Sequence, residues 1–138
     1  MTSSEHEVFQ RLISAVEEKR RLASIGLQST DLAEISRLFQ AIVDHCSRVL
    51  TAEEDFLDAV LVEKVGDLSF NERAIFHTCR ESLDGSRYVS QKGVGETDPV
   101  LIEQWFKTVI ADCDIAAMNV ERSLERNGVQ LLGHQSEN

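Results

Sequence analysis

The strongest constraint on this chain is the run from Thr97 to Gly128, TDPVLIEQWFKTVIADCDIAAMNVERSLERNG, which carries the start, the body and the stop of one long helix. Asp98 stands as an N-cap whose carboxylate accepts from first-turn N–H groups, and Pro99 takes the first helical position, where its missing N–H costs nothing. Gly128 supplies the stop, because a residue without Cβ turns left-handed at little cost. Between them Ile102, Phe106, Val109, Cys113, Ala116 and Val120 alternate in steps of four and three, which aligns them on one face. At 1.5 Å per residue, a helix from Asp98 to Asn127 is about 45 Å long, more than the width of a small domain. One end is then expected to project or to meet another chain.

The segments before it read in the same way. Ser4 and Glu7 have capping-box spacing, Val8, Phe9, Leu12, Ile13, Val16 and Ala23 share one half of a helical wheel, and Gly26 ends the run, giving a first helix over about residues 5–25. Asp31, with Glu34 three residues on, opens a second helix striped by Ile35, Phe39, Ile42, Cys46 and Val49. Thr51 and Glu54 repeat the capping-box spacing, and the acids Glu53, Glu54 and Asp55 suit the positive end of a new helix dipole, so a break is expected there. A third helix then carries Phe56, Leu57, Val60 and Leu61 to Gly66. Ser69 and Glu72 cap a fourth, shorter one through Ile75, Phe76, Cys79 and Leu83, which stops at Asp84-Gly85. Residues 86–96 read as part helical extension and part flexible loop, and residues 129–138 as a short tail. No segment alternates with period two, and no fixed-period repeat stands out. The expected fold is all-α: a single-domain antiparallel bundle of four to six helices over residues 1–138, with one long C-terminal helix.

Charge narrows the function classes. With 14 Lys and Arg against 24 Asp and Glu, the net charge is -10, which repels a nucleic-acid backbone or an anionic leaflet and suits a partner with a basic surface. Neither direct nucleic-acid binding nor membrane binding is expected, since no apolar run approaches the roughly 20 residues of a bilayer span. The acidic start MTSSEHEVF is unlike a secretory signal, which points to the cytoplasm. Cys46, Cys79 and Cys113 lack C-x-x-C spacing and fall on the apolar faces of three helices, as buried thiols do.

No constellation reaches a catalytic or metal-binding signature. His77 and Glu81 stand four apart, a spacing used in carboxylate-bridged metal bundles, but Ile75, Cys79 and Leu83 turn them and Arg73 toward water. Of the other histidines only His45 borders an apolar stripe, as a hydrogen-bonded residue at a core edge does. The run Glu17-Glu18-Lys19-Arg20-Arg21 reads as a solvated face laced with ion pairs. Asp112 and Asp114 point to different sides of their helix and read as solvated too. Gly93-Val94-Gly95 lacks the third glycine of a dinucleotide fingerprint. No enzyme activity and no cofactor are expected.

What remains is recognition of another protein. The acidic cluster Glu53, Glu54, Asp55 and Asp58 lacks the alternating ligands of a calcium loop and would suit a basic partner. Arg87, Tyr88 and Lys92, read as a loop feeding the long helix, are residue types that serve interfaces, and Trp105 flanks the stripe as either packing or an aromatic anchor, with packing favoured. The function expected is a small acidic, non-catalytic protein-binding module, an immunity protein or phage-type inhibitor that occludes a basic active site or nucleic-acid-binding groove. A homodimer is the form its long helix suggests. The alternatives are a ligand- or metal-binding four-helix bundle and a regulatory or structural homo-oligomer.

Overall fold

The computed structural model describes residues 1–62 and 68–126, and all its regular structure is helical: α1 (Ser3–Gln28), α2 (Leu32–Ala52), α3 (Glu54–Leu61), α4 (Phe70–Gly93) and α5 (Pro99–Arg126). Capping chemistry sets the starts. Asp31 accepts from Ala33 N at 3.0 Å and Asp98 from Val100 N at 2.9 Å, while Ser69 and Glu72 form the reciprocal capping box of α4. The chain breaks at Glu53, which ends α2 and begins α3 without a side-chain cap.

Contacts between helices give an up-down-up-down bundle. Ala15 with His45 and Arg11 with Glu53 run α2 antiparallel to α1; Val16 with Cys113 and Gly26 with Phe106 do the same for α5. Arg80 with Asp58 and Gly95 with Ser36 set α4 antiparallel to the α2–α3 pair. The parallel helices α1 and α4 therefore occupy one diagonal, and α2 and α5 the other. Burial follows the apolar stripes, joining Phe9, Leu12, Ile35, Ile42, Phe76 and Leu83 with the α5 stripe in one core cluster.

Close to the α1–α2 turn, Phe39 and Phe106 span the second diagonal as a stacked pair, with centroids 3.9 Å apart and planes 2° from parallel. Two glycines back this pair. A Cβ on Gly26 would lie 2.5 Å from Cε2 of Phe106, and one on Gly93 2.5 Å from Cε2 of Phe39. Gly26 does not stop α1, and Gly93 is the last residue of α4. Both are buried helical residues, present because a ring occupies the space of a side chain.

Several expectations are corrected. Helix α1 begins two residues earlier than the Ser4 and Glu7 spacing suggests, because Thr2 and Glu5 form the working capping box, and it passes through Gly26 to Gln28. Helix α3 ends at Leu61; Gly66, Gly128 and the tail 129–138 lie outside the described residues. Helix α4 runs through Asp84-Gly85 to Gly93, so it is not short and Arg87, Tyr88 and Lys92 are helical, since burial of Ser82, Ser86 and Ser90 holds its last turns in place. Nor does α5 project along its described length: α1, at 26 residues, nearly matches its 28, and both Ile102 near its start and Leu124 near its end are buried.

Candidate functional site

Two polar sites stand out, one at the surface and one inside. The surface site is a cleft of about 220 Å³ between α2–α3 and α4, lined by Leu50, Thr51, Glu54, Leu57, Arg80, Asp84 and Arg87. Arg80 reaches Asp58 with Nη2 at 3.1 Å, and its Nη1 is buried without a hydrogen-bond partner among the described residues. Arg87 is paired with Asp84 one turn back. One turn beyond Asp84, Tyr88 is 61% exposed, and the Lys92 ammonium sits 4.6 Å from the centre of its ring. Glu54, Asp55 and Asp58 are exposed on α3. Six of the residues expected to meet a partner, Glu54, Asp55, Asp58, Arg87, Tyr88 and Lys92, thus lie on α3 and α4, and four of them, Glu54, Asp58, Arg87 and Tyr88, line this cleft or neighbour its lining residues.

The remaining two are placed differently. Glu53 is buried and its carboxylate is held by two guanidinium nitrogens of Arg11, Nε at 2.5 Å and Nη2 at 3.2 Å. It therefore acts at the α2–α3 break rather than at a free acidic surface. Trp105 is half-buried and packs against the core, the outcome favoured from its place beside the stripe.

The inner site corrects the reading of the Glu17 to Arg21 run as solvated. Lys19 is fully buried on α1, and its ammonium donates to Ser86 Oγ at 2.7 Å and to Asp112 Oδ2 at 3.0 Å. The same oxygen accepts from Ser82 Oγ at 2.8 Å, and lies 3.2 Å from Ser86 Oγ. A buried ammonium is tolerated only when paired and hydrogen-bonded, and here the Asp112 carboxylate pairs with it and the Ser86 hydroxyl accepts from it, while Ser82 holds the carboxylate. Asp112 is consequently the wall of a polar core site, while Asp114 faces outward to Arg20 at 2.8 Å. The signal was present in the spacing, because Lys19 falls three residues after Val16 and four before Ala23, on the apolar stripe.

The cysteines border this inner site without forming a reactive centre. All three are buried free thiols; burial pushes the Cys46 thiol up to about 11 and Cys79 to about 12, against the opposing pull of the Lys19 charge. Cys113 is raised for the same reason and donates to the Val16 carbonyl at 3.5 Å. His45 lies 3.2 Å from the Ala15 carbonyl through Nε2, the core-edge role expected of it. His77 is half-exposed and Glu81 exposed. Among the described residues no three His, Cys, Asp or Glu side chains converge in a way that could hold a metal ion, and no helix is long and apolar enough to cross a membrane. Comparison with known proteins finds no family model, no curated protein and no solved structure that matches the chain.

Proposed function

We propose that this protein is a small, acidic, non-catalytic binding module of the cytoplasm, of the immunity-protein or inhibitor kind, which covers a basic active site or nucleic-acid-binding groove of another protein. The observation that carries this reading is Tyr88, an exposed aromatic ring braced by Lys92 beside a charged cleft. Interfaces favour a ring of this kind because it brings large contact area at small entropic cost, with charged groups around it setting orientation. The acids Glu54, Asp55 and Asp58 supply the sign that would draw a basic partner, in a chain whose net charge is -10.

The test compares affinity capture from the native lysate by the parent chain, Tyr88→Ala and Glu54→Lys. Both substitutions are at exposed positions, so fold and stability are expected to persist. One stoichiometric basic partner is expected on the parent and absent from both variants; equal capture by all three, or no basic partner on the parent, refutes the reading. Self-association is the second reading, supported by exposed Val100, Ile115 and Met118 on the outward face of α5. A monomeric mass by light scattering removes it.

A further inference from the structure

Residues 68–126 repeat the design of residues 1–59 at a constant offset of 67, without insertion or deletion. Any two amphipathic helices share apolar positions, so the telling matches are those with no helical period. The capping boxes Thr2/Glu5 and Ser69/Glu72 are equivalent, as are the N-caps Asp31 and Asp98. Helix starts coincide at Ser3 with Phe70 and at Leu32 with Pro99. The turn hydrogen bond from Ser29 N to Gly26 O, 3.1 Å, recurs from Glu96 N to Gly93 O at 3.0 Å. In the core, Phe9, Gly26, Ile35, Phe39, Cys46 and Leu57 correspond to identical residues at 76, 93, 102, 106, 113 and 124.

Contacts obey the same symmetry. Under a twofold axis, residues near the axis touch their own counterparts and all other contacts occur twice with the roles exchanged. Phe9 meets Phe76 at 6.5 Å, Lys19 meets Ser86 at 2.7 Å and Phe39 meets Phe106 at 3.9 Å, all counterpart pairs. Gly26 lies under Phe106 just as Gly93 lies under Phe39. Position 45 faces position 15 as position 112 faces position 82.

We infer that the chain is two copies of one helical hairpin fused in tandem, a homodimer made covalent, and that the Lys19 site is an asymmetric feature which only the fusion permits. Lys19 lies against its own counterpart, so in a symmetric dimer two ammonium groups would meet, buried, on the axis. In the fused chain the first copy supplies Lys19, and the second supplies Ser82, Ser86 and Asp112 where the first has Ala15, Lys19 and His45. This corrects the expectation that the sequence holds no fixed-period repeat; the repeat is hidden because few counterparts are identical and many buried ones share only character, such as Val8 with Ile75 and Val16 with Leu83.

Transposing the site across the axis in the full chain tests this. Ala15→Ser, Lys19→Ser and His45→Asp are combined with Ser82→Ala, Ser86→Lys and Asp112→His, which moves the lysine to α4 and its acceptors to the first hairpin. Cooperative thermal unfolding close to that of the parent is expected. Lys19→Ser with Ser86→Lys alone puts the ammonium opposite His45 and is expected to lower the midpoint by on the order of 10 °C. Equal losses in the two chains overturn the inference. Should the transposed chain not fold, a permutant of residues 68–134 followed directly by 1–67 reads the same equivalence: parent-like helix content with cooperative unfolding supports it, and an unfolded permutant refutes it.

Discussion

Gly26→Ala tests the packing of the stacked phenylalanines. In an unconstrained helix interior this change stabilises, because alanine is favoured over glycine by about 1 kcal/mol. Here the new Cβ falls 2.5 Å from Cε2 of Phe106, so the ring must retreat by about 1 Å to reach ordinary contact. The retreat is blocked: Phe39 lies 3.9 Å behind it, and Phe39 in turn rests on Gly93. Overpacking of this kind costs about 1–3 kcal/mol, and a ring backed by a second ring belongs at the upper end. After the gain in propensity, a net loss of about 2 kcal/mol is expected, a fall of several degrees in Tm. Gly85→Ala is the control, since Gly85 is likewise inside a helix, α4, but an added Cβ meets nothing within 4 Å; it should raise stability by about 0.5–1 kcal/mol. Urea denaturation of the two variants, with Phe106→Leu added to Gly26→Ala as a rescue, reads both signs. If Gly26→Ala is as stable as the parent, the reasoning is wrong.

Asp112→Asn leaves the Lys19 ammonium buried with neutral acceptors only; a loss of about 2–4 kcal/mol is expected, discounted because the carboxylate side chain is 38% exposed, and denaturant titration measures it. The raised thiol values of Cys46 and Cys79 mean that the native state holds these groups neutral while the unfolded state ionises near pH 9. Their contribution to stability is thus complete below pH 9 and declines as pH rises toward 11 to 12, so the urea midpoint should fall over that window and thiol alkylation at pH 8 should track global unfolding. Trp105→Ala should cost about 3 kcal/mol through lost core contact, measured by thermal unfolding, and a fully stable variant would show that the ring is not packing.

The parts legible in the sequence were those governed by local chemistry. Asp31, Asp98 and the Ser69/Glu72 box each satisfy backbone groups within four residues, and the stripes of α2 and α5 need only helical spacing, so their faces could be assigned without tertiary knowledge. The start of α1 was ambiguous because TSSEHE holds two overlapping capping-box spacings, Thr2 with Glu5 and Ser4 with Glu7; Glu5 is buried and Glu7 exposed, which only packing decides. Helix α4 was cut short at Asp84-Gly85 because those residues punctuate chains locally, whereas burial of Ser82, Ser86 and Ser90 overrides them. At the candidate cleft, Glu54, Asp58 and Arg87 were legible as charged, but Arg80 and Asp84 join them only through the α2–α3 to α4 approach. Lys19 was hidden by its four charged neighbours, although its angular position placed it with the core.

The glycine notches also bear on axial slippage. Helices with smooth apolar stripes can slide past one another by a turn, about 5.4 Å, and still bury similar residues. In this bundle such a slide would carry Phe39 off Gly93 and Phe106 off Gly26, driving each ring against a neighbouring side chain and unstacking the pair. The two notches work as index pins at one end of a long barrel, and the alignment they impose brings Lys19 level with Asp112 further along it.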